Sequence, residues 1–186
     1  MILEGILTTE TSDGGMHVSP IGPHVNRELT HWELKPFKTS TTFGNLRRSN
    51  RGVFHVVDDG LLMIQAVLGL CNPPHPQPIA QYHESFGWIL EETCRAIPLK
   101  VLSWNVEPER ATAVCAAAPC VSERSFWGWN RANHSLLELA ILWSRKHMLE
   151  ATILQSELER HRIIILKTAG DRELEALRLL EESLGH

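Results

Sequence analysis

The chain has little of what a disulfide framework or a zinc knuckle needs: its four cysteines, Cys71, Cys94, Cys115 and Cys120, form no CxxC pair. Buried free thiols in a reducing cytosol are the reading that fits them. A basic excess is also missing. The formal charge of −4 gives no field for gripping a phosphate backbone, so no nucleic-acid partner is expected. The longest apolar run, residues 61–71, is interrupted by Gln65 and is too short to span a bilayer. Met1-Ile2-Leu3-Glu4 carries no basic stretch ahead of an apolar one, so the expectation is a cytoplasmic protein with no membrane partner. GxGxxG, GxxxxGK[ST] and GxSxG are absent, which removes support for a nucleotide fold or a serine-hydrolase elbow. The ten histidines form neither HxH nor HxxxH. His55, Asp58 and Asp59 fit no zinc or iron spacing and read as a solvated strand end, so no metal is expected.

What is present is a chain of strands followed by helices. A hydrophobic fraction of 43% and a charged fraction of 22% are those of a globular domain. Residues 2–9 and 16–22 are strand-like and flank Thr11-Ser12-Asp13-Gly14-Gly15, a strong turn signal, so they form a hairpin. A third strand is expected at 31–37, a turn into a short helix at 39–48, a strand at 51–57 and a helix at 61–70. The prolines of 72–78 exclude a regular element there. Strand-like stretches return over 89–118, with a hairpin turn at Pro108-Glu109. After Asn133 the pattern becomes helical. A second helix is expected at 154–167, and a last one capped by Asp171 should bury Leu174, Leu177, Leu180 and Leu184 as one stripe. Strands first and helices last make an α+β protein with a barrel or sandwich, not a doubly wound sheet. The expected division is 1–132 for the barrel and 133–186 for a helical tail.

Three segments have the residue types for ligand chemistry. Lys38-Thr39-Ser40-Thr41-Thr42 puts one cation and four hydroxyls at a strand-to-helix junction, with Asn45 one turn further on. A phosphate monoester needs several converging donors, and hydroxyls, helix-terminal amides and one lysine supply them without a basic protein. Arg47 and Arg48 can neutralise remaining charge if they turn inward. The same hydroxyls can instead cap the helix and satisfy its free amides. Val18-Ser19-Pro20 is the second segment. It offers backbone groups to the polar edge of a flat ring, or is simply an edge strand whose proline removes a ladder donor. The third runs from Phe126 through Trp127, Gly128 and Trp129 to Asn130, Arg131 and His134. It can line an aromatic ring site or serve as a subunit interface.

Taken in order, several motifs resemble one family. They are Ile2-Leu3-Glu4-Gly5-Ile6-Leu7-Thr8-Thr9, Ser19-Pro20-Ile21-Gly22-Pro23, and Pro36-Phe37-Lys38-Thr39-Ser40-Thr41-Thr42 with Asn45-Leu46. Gly52-Val53-Phe54-His55-Val56 with Asp58-Asp59, Asn130-Arg131-Ala132 with His134, and Lys167-Thr168-Ala169-Gly170 with Glu173 follow. The resemblance, which spans nearly the whole chain, is to a domain-of-unknown-function family of archaea and of bacteria with methanopterin-linked one-carbon metabolism. That family is similar in fold to the split barrels of flavin reductases and pyridoxamine-phosphate oxidases.

The resemblance implies an FMN-binding split β-barrel with a C-terminal helical extension, and a homodimer with flavin near its interface. By position, Lys38, Thr39, Ser40, Thr41 and Asn45 would hold the FMN phosphate and ribityl chain. Val18, Ser19 and Pro20 would border the isoalloxazine ring, and Asn130, Arg131 and His134 would face the site or the dimer partner. Gly44 stands where the pattern has a larger polar or basic residue, and Trp127 and Trp129 where it has phenylalanines. The implied activity is that of an FMN-dependent oxidoreductase acting on a small substrate, with a pterin suggested only by the family's association, or using NAD(P)H. No catalytic side chain is singled out, because the flavin carries the redox chemistry. A flavin or electron carrier without turnover, and an interaction protein that has lost flavin, are the competing readings.

Overall fold

Residues 11–15 reverse the chain as the sequence predicts: the Thr11 amide donates to the Gly15 carbonyl at 2.8 Å, and Gly14 takes a φ of 86° that a side chain would resist. The computed structural model describes residues 1–106 and 111–184. The turn expected at Pro108-Glu109 lies outside them. The chain forms two units: residues 1–57 with 71–125, and residues 58–70 with those from 126 onward. Residues 58–70 therefore belong with the C-terminal helices, a grouping that a single boundary at 132/133 does not express.

The first unit is a mixed structure built on one curled, eight-stranded sheet. Its strands are β1 (Gly5–Glu10), β2 (Met16–Ile21), β3 (His24–Val25), β4 (Trp32–Leu34), β5 (Arg51–Val56), β8 (Arg95–Val106), β9 (Ala111–Ala117) and β10 (Ser122–Glu123). A separate hairpin is made by β6 (Ala80–His83) and β7 (Gly87–Leu90). The sheet order is β2-β1-β5-β8-β9-β4-β3, with β10 pairing to β8. The strand expected at 31–37 is only three residues long, since Pro36 brings the extended run to an end. A helix, α1 (Thr41–Ser49), follows it.

Paired residues of neighbouring strands share a face, so the register sorts the core into two layers. Leu7, Phe54 and Ile97 are aligned on one face, where they pack with Leu46 of α1 and with Trp32, whose ring lies 5.3 Å from that of Phe54. Ile6, His55 and Ala96 are aligned on the other. There His55 is fully buried, and the Leu90 amide of β7 donates to its Nε2 at 3.0 Å. Accepting at Nε2 makes Nδ1 the protonated nitrogen of a neutral ring. Burial pushes the His55 pKa down to about 4.

The second unit contains α2 (Gly60–Val67), α3 (Arg131–Trp143), α4 (Ala151–Thr168) and α5 (Asp171–Leu184), with a short 3-10 turn at Lys146–Met148. Asp59 caps α2, its Oδ1 accepting from the amides of Leu61 and Leu62. Gly60 is required by close approach: a Cβ there would meet Leu136 at 2.6 Å. Asp171 is the first residue of α5, not its cap, and the free amide of Gly170 is satisfied by the Glu173 carboxylate at 2.8 Å. The buried stripe of α5 is Ala176, Leu177 and Leu180, while Leu174 and Leu184 are exposed. No helix among the described residues is long and apolar enough to cross a membrane.

Candidate functional site

The tip of α1 divides its hydroxyls into two groups. Ser40 is the N-cap: its Oγ accepts from the Phe43 amide at 3.2 Å and donates to the Phe37 carbonyl at 2.7 Å. Thr42 is buried, its Oγ1 2.8 Å from Ser19 Oγ on β2. Both hydroxyls are thus committed within the chain. Thr39 and Thr41 are exposed, and Lys38 is half-buried beside them in sequence. The amides of Thr41 and Thr42, the first two of the helix, have no acceptor among the described residues. No acid occupies the first turn, so no carboxylate of the helix itself offsets its positive end. Two helix-terminal amides with no acceptor among the described residues, two exposed hydroxyls and a lysine next to them in sequence are the donor types an anion needs.

Asn45 does not join them. It is buried, its Nδ2 donating to Thr9 Oγ1 at 3.0 Å and its Oδ1 accepting from Arg48 at 3.2 Å, so it ties α1 to β1. The two arginines do not turn toward the tip either. Arg48 also donates to the Glu10 carbonyl, and Arg47 stacks over the Trp104 ring at 5.5 Å. Both sit in the last turn, where cations favour the negative end of the helix.

Val18-Ser19-Pro20 lies on β2, the edge strand. The Val18 amide and carbonyl, expected to be open to a ligand, are both taken by the Asn72 side chain, at 2.8 Å each. Gln77 Nε2 likewise donates to the Met16 carbonyl at 2.8 Å. Pro20 has no amide to leave open, so the proline-rich loop and Pro20 together close the edge. Ser19 is half-buried and bonded to Thr42, which brings β2 and the tip of α1 together. Asn72 is the residue that sequence reasoning missed; a single asparagine within a proline run carries no signal of its own. His17, half-buried beside Val18, has its pKa lowered by burial, partly offset by a hydrogen bond its ring donates to Asn72.

The remaining candidates belong to the second unit. Asn130 is the N-cap of α3, accepting from the amides of Ala132 and Asn133 at 2.7 and 3.2 Å. Arg131 and His134 are exposed on the first turns of that helix. Asp58 does not read as a bare strand end: its Oδ2 accepts from the Trp127 amide at 2.9 Å and its carbonyl accepts from Asn133. Asp59, besides capping α2, pairs with Arg172. Among the described residues no three His, Cys, Asp or Glu side chains group to hold a metal ion. Trp127 and Trp129 are 86% and 94% exposed on a loop that the Asp58 contact holds in place.

Comparison with known proteins bears on this geometry. The description "Protein of unknown function (DUF447) N-terminal domain" matches residues 3–121, and its companion DUF447 domain matches residues 130–182. No curated protein sequence matches the chain. Among solved structures, an FMN-bound DUF447 protein from Methanosarcina mazei superposes with a TM-score of 0.82 at 19% identity, over 98% of this chain and 94% of that one. Flavoredoxin from Methanosarcina acetivorans aligns with a TM-score of 0.57 at 13% identity, over 68% of this chain and 72% of its own. The styrene monooxygenase flavin reductase of Pseudomonas putida S12 gives 0.54 at 11%, over 65% and 81%. At these identities the likeness shows the fold, a split β-barrel.

Proposed function

Because the chain belongs to the DUF447 family, proteins of unknown function that share the split-barrel fold, we propose that it is an FMN-binding flavoprotein with oxidoreductase activity. The observation that carries this reading is the donor set at the start of α1. The amides of Thr41 and Thr42, the first two of the helix, with the Lys38 ammonium and the hydroxyls of Thr39 and Thr41, suit the terminal phosphate of FMN. Ser40 holds the helix start in shape, and Ser19 fixes Thr42 from the β2 side. That an FMN-bound DUF447 protein has the same fold supports the choice of flavin over other phosphate esters.

Bound FMN supplies hydride acceptance and donation at its isoalloxazine N5. The chain's own work is then to bind and orient. Lys38 and the helix-terminal amides fix the phosphate end, which sets where the ring lies. Asn45 gives no direct contact in this reading; by tying α1 to β1 it keeps the helix start in register with β2. Trp127 and Trp129 supply exposed aromatic faces for a second copy of the chain, in keeping with a homodimer.

The test is reconstitution followed by reduction. Full-length protein is mixed with FMN, freed of excess flavin, and its absorbance followed under anaerobic NADH or NADPH. Retained FMN that bleaches on mixing is the expected result. Retained FMN that does not bleach with either donor favours a carrier role, and a chain that takes up no FMN overturns the proposal.

A further inference from the structure

The outer face of the barrel sheet carries a second site, at the other end of α1. A cleft of about 440 Å³ opens there, within the size range of small-molecule sites. Its floor follows from the register. Arg51 on β5 pairs with Lys100 on β8, and Lys100 pairs in turn with Ala116 on β9, so the three side chains stand in a row on one face. Pro98 and Ala118 continue the floor, and the methyl-sized side chains leave the space that a larger residue would fill. Phe86, in the turn of the β6–β7 hairpin, forms one wall, its ring stacked on His83 at 4.5 Å.

The charge of this floor is unbalanced. Two cations opposite one another on neighbouring strands repel. Arg51 is compensated by the Glu10 carboxylate at 2.7 Å and is held further by Tyr82 and the Glu84 carbonyl. Lys100 is exposed and has no carboxylate partner among the described residues. One positive charge is therefore left over at the cleft of a chain whose net charge is −4. Asn50, held in a left-handed conformation at the end of α1, adds an exposed amide at the rim. At this end of α1 the Asn50 amide, Ser49 Oγ and the Val101 amide bond the carbonyls of Leu46, Asn45 and Asn50, so three of the acceptors nearest the cleft are already taken.

We propose that this cleft binds a small organic anion, a carboxylate joined to a flat apolar body. The carboxylate meets Lys100, with the Asn50 amide beside it, and the apolar body lies over Pro98, Ala116 and Ala118 against Phe86. The site is separate from the phosphate-binding tip, since α1 is nine residues long and so about 12 Å separates its ends.

The experiment uses 2-naphthoate and its uncharged counterpart 2-naphthylmethanol as probes, with binding to the full chain followed by ligand-observed NMR, with and without FMN. Wild-type protein should bind 2-naphthoate about tenfold more tightly than the alcohol, the size of one favourable ionic contact. Lys100→Gln should remove that preference and leave alcohol binding unchanged, whereas Ala116→Phe should weaken both probes by filling the floor. Both variants should keep the wild-type affinity for FMN, and melting temperatures show that they fold. No binding of 2-naphthoate, an unchanged preference in Lys100→Gln, or competition between 2-naphthoate and FMN overturns the proposal.

Discussion

At the centre of β5, His55 is fully buried and its Nε2 accepts from the Leu90 amide, whereas at the tip of α1 Thr39 and Thr41 stand exposed beside two amides with no acceptor among the described residues. Both places concentrate polar groups around the same barrel. The difference lies in where their partners are. His55, Asn45 and Thr42 find partners inside the chain, so they shape the fold. At the helix tip the hydroxyls of Thr39 and Thr41 stay exposed, which is the condition for holding something that is not part of the chain.

That contrast can be broken most forcefully at His55. Its pKa is about 4 when folded against about 6.5 when unfolded, so between those values the unfolded chain takes up a proton that the folded one does not. Stability is fully present above pH 6.5, falls as the pH drops toward 4, and levels off below; the loss from this ring is about 3 kcal/mol. Denaturant titrations from pH 7 to 4 should show that slope, and His55→Gln should flatten it. A smaller effect of opposite kind is expected at Lys38. Lys38→Ala should weaken FMN by roughly 1.5–3 kcal/mol, about 10- to 150-fold, through loss of one charge-assisted contact, with the melting temperature close to wild type. Flavin fluorescence titration measures the first quantity and calorimetry the second.

Ser40→Ala sharpens the comparison because Ser40 lies at the boundary between the two kinds of residue. As an N-cap it should cost about 1 kcal/mol of stability. Its direct effect on FMN should be smaller than that of Lys38→Ala, since its hydroxyl already has two partners. Trp127→Ala should have the smallest effect on folding, within about 0.5 kcal/mol, because the side chain is almost wholly exposed. A large drop in melting temperature there would show that the indole is covered, as by a second copy of the chain, in the protein as isolated.

Much of the fold was legible in the sequence. The N-terminal hairpin, the short helix after the lysine, the β5 strand and the three C-terminal helices follow from turn residues and periodicity, which act locally. Residues 58–70 could not be assigned to the second unit, because the contacts that place Gly60, from Leu136 and Asn133, come from more than seventy residues away. The same limit applies at the site. Lys38, Thr39 and Thr41 stand out by residue type, but only coordinates separate them from Asn45 and Ser40, which look alike in sequence and are occupied within the chain. At Val18 the missing information was Asn72, whose amide closes the edge of β2 from fifty-four residues away.

The central claim is that the start of α1 grips a terminal dianion, and comparing FMN with riboflavin tests it most directly, since the two differ only by the phosphate. Dissociation constants measured for both on the same protein should favour FMN by about 100-fold or more, a gap that Lys38→Ala should narrow. Equal affinities for the two flavins would contradict the claim, because the phosphate would then be doing nothing at that helix.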